Sequence, residues 1–248
     1  MSFVRIVKFD IINIFKTPML VIVNTLLPLV LFAGLGIAMN KTFIGGKMTS
    51  YDFYSVAVII MSAMMIVMTA SNVFLEEKVK RGNTRVIYAP IAKSSIYLSK
   101  IISTAIFSSL LFDIILLIEQ YLFKCNLGGY NIIFVMILID SLALFGSSLG
   151  IAGCCLLKDE EKTNNVMTIC ASVCLFFSGI FIPLGHGGKV MQILSSLSPV
   201  RYVVESCFQI IYDNNFALFF KTICLMVILS FFCAVVCRFT FKGEEYVR

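Results

Sequence analysis

Two lysines of this sequence follow paired glycines, in Gly45–Met48 (GGKM) and in Gly187–Val190 (GGKV). A loop that cradles phosphate groups needs a further glycine six residues before the lysine, and a Ser or Thr directly after it. Neither stretch has these residues. The sequence therefore predicts that this chain does not itself hydrolyse ATP.

Other catalytic and metal-binding patterns fit no better. His186 is the single histidine, which excludes zinc sites of the HExxH kind. Cys154–Cys155 and the pair Cys170 and Cys174 offer soft sulfur ligands, but the further ligands of a metal site are missing. We predict no enzymatic activity, no metal and no cofactor in this chain.

Two carboxylic acids, Asp113 and Asp140, interrupt long apolar runs. A tight hairpin between the two runs brings both acids to a similar depth, about 12–14 Å from the outer face at 1.5 Å per residue. Because bare carboxylates in hydrocarbon are very costly, two interpretations stay open: the acids line a wet pathway that interacts with protons or cations, or they are neutral and hydrogen-bond to Ser109 or Ser141. Glu119, nearer the outer boundary, is expected to reach water.

Long apolar runs position all of these residues. Of the 248 residues, 59% are hydrophobic and 14% charged, which exceeds the apolar share of soluble domains, about 45–50%. Runs of about 18 or more apolar residues are long enough to cross a hydrocarbon core. We predict an all-α membrane protein with one domain over residues 1–248 and six spans, at about 18–40, 53–75, 97–121, 131–157, 165–183 and 216–238.

The distribution of Lys and Arg sets the orientation of these spans. With the N-terminus inside, fourteen of the 20 Lys and Arg residues fall in cytoplasmic pieces, as the positive-inside rule requires. Six spans return the C-terminus to the cytoplasm. The net charge of +6 is then explained by topology and by attraction to anionic lipid head groups, so no nucleic-acid partner is expected.

Three segments outside the spans carry helix signals. Residues 2–16 place basic side chains such as Arg5 and Lys8 opposite Val4 and Ile14, which predicts an amphipathic helix on the inner membrane surface. Ser198-Pro199 is typical of a helix start, so a pair of short helices is expected at the outer face between spans five and six. The segment 82–95, within the charged stretch 73–95, predicts a short cytoplasmic helix bounded at Pro90, with a solvated loop as the alternative.

Small residues and cysteines occur in the later spans. Gly146, Gly150 and Gly153 share one face of the fourth span, which predicts close approach of another helix. The nine cysteines are expected to be free, because most lie in apolar runs. Pairing between Cys125 and Cys207, both on the outer side, is left open.

Several motifs follow one another in a recognisable order. Thr17-Pro18 precedes the first span, and Ser198-Pro199-Val200-Arg201-Tyr202 precedes the last. Between spans two and three lie Glu77, Gly82-Asn83-Thr84, Ala89-Pro90-Ile91 and Lys100, which are similar to the segment E-R-E-x-G-T…P-[VI]…G-K, with Ser99 in place of the second glycine. In this order the motifs resemble the membrane subunits of ABC-2 type exporters over essentially the full length.

This resemblance implies a multi-pass permease of a bacterial cell membrane, with both termini cytoplasmic, that exports an amphipathic or hydrophobic substrate such as a drug, an antimicrobial peptide or a lipid. ATP and Mg²⁺ are expected on a separate ATPase subunit, present in two copies. A second copy of this chain, or a related permease, would complete the pathway, with Asp113 and Asp140 as candidate lining residues. A transporter or membrane adaptor that works without an ATPase is the alternative.

The resemblance also assigns a role to the segment between spans two and three. It implies a coupling helix that fits, with the N-terminal helix, into a groove on the ATPase subunit. Apolar anchors and a charged rim are the side chains expected at such a contact. The candidate coupling residues are Arg81, Arg85, Val86, Ile87, Tyr88, Pro90 and Lys93.

Overall fold

A computed structural model describes residues 3–40, 48–75, 94–180, 193 and 195–241. Within these ranges the chain consists of helices and turns, without a strand. The all-α fold predicted from the sequence is confirmed. The α-helices are α1 (Phe3–Lys16), α2 (Pro18–Ala38), α3 (Ser50–Leu75), α4 (Ser94–Tyr121), α5 (Ile132–Leu157), α6 (Glu160–Phe176), α7 (Pro199–Asp213) and α8 (Phe219–Thr240).

In the described part of the chain, five stretches are long and apolar enough to cross a membrane: Pro18–Ala38, Ser50–Leu75, Ser94–Tyr121, Gly129–Leu157 and Phe219–Thr240. They coincide with five of the six predicted spans. The other predicted span, at about 165–183, overlaps α6, which has 17 residues and carries Lys, Thr and Asn in its first half. Residues 181–183 lie outside the described ranges, so the six-span layout stays a prediction.

Local sequence explains where individual helices begin. Before α3, the backbone N–H of Thr49 donates to Asp52 Oδ2 (3.0 Å), and the backbone N–H of Asp52 donates to Thr49 Oγ1 (3.2 Å). This reciprocal pair satisfies two N–H groups that a helix start leaves without partners. Helix α7 begins at Pro199 after Ser198, as predicted, but the Ser198 hydroxyl donates to the carbonyl oxygen of Cys174 (2.7 Å). This bond fastens the start of α7 to α6.

Helices α3 and α5 form the centre of the fold, and glycines bring them together. A Cβ on Gly150 would lie 2.7 Å from the carbonyl oxygen of Val67, and one on Gly146 would approach α3 equally closely (2.7 Å). The predicted close helix contact is therefore confirmed for these two glycines. Gly153 instead lies against Met167 of α6. The glycine-rich face of α5 therefore packs against two neighbouring helices, α3 and α6.

Helix α1 agrees with the predicted helix over residues 2–16, but it buries a different face. Arg5 and Lys8 are exposed and Ile14 is buried, as expected, whereas Val4 is 72% exposed. The buried side chains of α1 are Ile6, Asp10 and Ile14, spaced four residues apart. A carboxylate thus occupies the centre of the buried face. The position of α1 at the membrane surface stays a prediction.

Candidate functional site

The carboxylate of Asp10 forms a buried ion pair with Lys100 of α4. Lys100 Nζ lies 2.7 Å from Asp10 Oδ1, and only 4% of either side chain is exposed. Among the residues that the structure describes, the other carboxylate oxygen, Oδ2, has no hydrogen-bond partner. Because a buried charge without a counter-ion is very costly, each residue depends on the other for its place in the fold.

Apolar contacts extend this junction along the two helices. The rings of Phe15 and Phe107 meet edge to face, with their centroids 4.9 Å apart. Around them lies a small buried cluster drawn from α1, α2, α3 and α4: Ile14, Leu20, Val73, Phe107 and Leu111. Helix α1 is therefore fixed to α4 at two points, one ionic and one apolar.

Lys100 follows the predicted coupling segment closely in the sequence. The candidate coupling residues Arg81, Arg85, Val86, Ile87, Tyr88, Pro90 and Lys93 lie outside the described residues, and their roles stay predictions. Residues 76–93 connect the end of α3 at Leu75 with the start of α4 at Ser94. Lys100 is six residues further along α4, which corresponds to about 9 Å at 1.5 Å per residue.

The two intramembrane acids lie together, as the hairpin argument predicts. Asp113 on α4 is close enough to Asp140 on α5 for their charges to interact, and the Ser109 hydroxyl hydrogen-bonds to Asp140. Both acids are half-buried, and Oδ1 of each lacks a hydrogen-bond partner among the described residues. Ile114 and Ile137, close to them along the two helices, are exposed. The acids thus lie together between α4 and α5, and a role in transport stays a prediction.

Glu119 does not reach water, so that expectation was wrong. Its side chain is fully buried, and neither carboxyl oxygen has a hydrogen-bond partner within the described ranges. The chain folds back over it after α4: the backbone N–H of Cys125 donates to the Glu119 carbonyl oxygen (3.2 Å), and that of Asn126 donates to Asp52 Oδ1 (2.6 Å). Burial, with the nearby charges of Glu119 and Asp52, raises the pKa of the Cys125 thiol to about 12.

The cysteines behave as predicted for apolar thiols. Among the described residues all nine are free, including Cys125 and Cys207, so these two do not form a disulfide. Burial raises the pKa of the Cys207 thiol to about 12 as well. In the described ranges, no three His, Cys, Asp or Glu side chains converge as metal ligands would.

Helices α3 and α6 together present a mixed polar and apolar surface. Asn164 Nδ2 of α6 donates to Asn72 Oδ1 of α3 (3.0 Å). Next to this bond, α3 exposes Met68, and α6 exposes polar and apolar side chains in turn. We call this the α3–α6 surface, and its residues are Met68, Asn72, Asn165, Ile169 and Ser172. Amides and hydroxyls are unusual on a helix side that faces lipid, because hydrocarbon offers them no partner.

Sequence reasoning missed Asp10 and misjudged Glu119. A signal for Asp10 was present, because it is the single acid of α1 and falls at the spacing of Ile6 and Ile14. No comparable signal marks Glu119, whose burial depends on how residues 122–126 fold over it.

Comparison with known proteins identifies the family. No curated protein matches the sequence. A family model described as ABC-2 type transporter matches residues 1–212, which is most of the 248 residues and includes α1 to α6 and nearly all of α7. The chain is thus a multi-pass membrane protein that belongs to the ABC-2 type transporter family.

Proposed function

We propose that the chain is the permease of an ATP-driven exporter that is powered by a separate ATPase subunit. The family match over residues 1–212 carries this proposal. The sequence supports the division of labour, since neither glycine-lysine stretch fits a phosphate-binding loop. ATP and Mg²⁺ then bind to the partner, two copies of which serve one exporter, and this chain supplies no catalytic residue.

The α3–α6 surface supports a second permease in the same complex. If α6 belongs to the predicted fifth span, Asn165 and Ser172 of a lone chain would face hydrocarbon, where an amide or a hydroxyl lacks hydrogen-bond partners. A second copy related by a twofold axis, or a related permease, would cover this surface with its own counterpart. The mixture of polar groups with Met68 and Ile169 suits a pathway for an amphipathic or hydrophobic substrate.

In this proposal, motion begins at the ATPase and enters the permease through residues 76–93. ATP binding draws the two ATPase subunits together and displaces the coupling segments that contact them. The spans then shift as rigid bodies, and the pathway opens alternately to the two sides of the membrane. Export from the cytoplasm or the inner leaflet is the proposed direction.

The coupling residues provide the test. The full chain is produced together with its candidate ATPase subunit, and residues 86–88 are replaced by Asp. In liposomes, we expect a hydrophobic dye, a cationic peptide or a fluorescent phospholipid to accelerate ATP hydrolysis by the wild-type complex. The variant should insert normally but lose this acceleration, because charged side chains remove the apolar anchor of the contact.

A matched control changes an aromatic residue elsewhere. Tyr130, in the turn before α5, is 99% exposed, and Tyr130→Asp should leave the acceleration intact. Normal acceleration in the residue 86–88 variant would reject the assigned coupling contact. A wild-type chain that neither binds the ATPase subunit nor changes its rate would contradict the function itself, and would favour a transporter or adaptor that works without an ATPase.

A further inference from the structure

The buried ion pair between Asp10 and Lys100 joins α1 directly to α4, a residue contact that the family assignment does not specify. The two residues are 90 positions apart, and their side-chain atoms meet at 2.7 Å. Neither is among the candidate coupling residues. Since ion pairs of this kind are costly to desolvate, burial of this one at the α1–α4 junction needs an explanation beyond stability.

The geometry of the junction makes it resistant to sliding. An apolar contact such as that between Phe15 and Phe107 can shift by a fraction of a helical turn and still exclude water. The ion pair cannot, because a small displacement leaves both charges buried without a counter-ion. Asp10 Oδ2 has no second partner to compensate for such a loss. The pair therefore fixes the register of α1 against α4.

We propose that Asp10 and Lys100 are positioning residues that make α1 and the cytoplasmic start of α4 move as one body. This inference rests on the proposed function and adds a route for the motion. A displacement of residues 76–93 reaches Ser94 first and then Lys100, about 9 Å further along α4. Through the ion pair the same displacement reaches α1, so the N-terminal helix and the third predicted span respond together.

The test distinguishes an ion pair that fixes the register of α1 against α4 from one that only packs the two helices together. In D10L/K100M both charges are replaced by apolar side chains of similar size, a change that buried ion pairs commonly tolerate without loss of stability. We expect this variant to bind the ATPase subunit and to keep the thermal stability of the wild type. In liposomes, the kcat of permease-dependent ATP hydrolysis should fall about tenfold, within the usual range of coupling between sites, while the KM for ATP stays unchanged.

Two further variants complete the design. In D10N/K100Q both side chains keep nearly their original shape but lose their charge. This variant replaces D10L/K100M if that variant does not yield a folded complex, and the same loss of kcat is expected. The matched control is N24L/T69V, which removes another buried polar contact between helices, Asn24 Nδ2 of α2 to Thr69 Oγ1 of α3 (3.0 Å), and leaves the ion pair intact. Its kcat should stay within about twofold of the wild type, well below a typical coupling effect.

The outcomes distinguish this inference from the proposed function. A wild-type kcat in D10L/K100M, or in D10N/K100Q, would overturn the inference and leave the pair as a packing feature. Failure of the neutral variants to bind the ATPase subunit would also overturn it, because the pair would then shape the docking surface. A wild-type chain without permease-dependent ATP hydrolysis would overturn the proposed function, and the inference with it.

Discussion

Gly150 provides a direct measure of how closely α3 and α5 pack. Alanine in a helix interior is favoured over glycine by about 1 kcal/mol, so Gly150→Ala would be stabilising in open space. Here the new Cβ would lie 2.7 Å from the carbonyl oxygen of Val67 and 2.8 Å from Ala70 Cβ. A backbone carbonyl cannot rotate away as a long side chain can, so the two helices must separate.

The size of the effect follows from two opposing contributions. Overpacking of this kind costs about 1–3 kcal/mol. Gly34 in α2 is the matched control, because it is helical and has no atom within 4 Å of an added Cβ. Gly34→Ala keeps the gain in helix propensity without the clash. We therefore expect Gly150→Ala to be less stable than Gly34→Ala by about 1–3 kcal/mol.

The assay is unfolding by SDS from dodecylmaltoside micelles. The chain has nine Tyr and no Trp, so near-UV circular dichroism of tyrosine reports its tertiary packing. The free energy of unfolding is extrapolated for both variants and for the wild type. Equal stability of Gly150→Ala and Gly34→Ala would refute the close approach of α3 and α5.

Two other predictions concern the buried groups near the end of α4. Glu119→Met should raise the free energy of unfolding by about 1–3 kcal/mol, because it removes a buried carboxyl group that has no hydrogen-bond partner among the described residues. A loss of stability in the same SDS titration would contradict this prediction, because it would mean that the Glu119 carboxyl group has a stabilising partner. At pH 8, Cys125 and Cys207 should resist N-ethylmaleimide in the folded protein and react in SDS, since a thiol with a pKa of about 12 is roughly one part in ten thousand thiolate. Labelling of either cysteine before unfolding, read by mass spectrometry of peptides, would contradict its burial.

Much of the fold could be predicted from the sequence because its signals are local. Five of the predicted spans agree with the apolar helices to within a few residues, since each is specified by its own run of side chains. The close helix contact was predictable because its signal is also local. Gly146 and Gly150 lie on one face of a single helix and leave room there for another backbone. The sequence could not name α3 as the partner of these glycines.

The candidate site was harder to predict because its contacts join distant parts of the chain. The proximity of Asp113 and Asp140 followed from a hairpin between adjacent spans. The pairing of Asp10 with Lys100 did not, since it depends on how α1 turns about its axis when it packs on α4. The burial of Glu119 likewise depends on the turn that follows α4.

The separation of Asp10 from Lys100 has a consequence for biosynthesis. The ribosome completes α1 long before it reaches Lys100, 90 residues later. During that interval Asp10 has no counter-ion, so its carboxylate must remain in water or among lipid head groups. The N-terminal helix can take its final place only once α4 has emerged. Nascent chains that stall before Lys100 should therefore display a loose N-terminal helix, which limited proteolysis can detect.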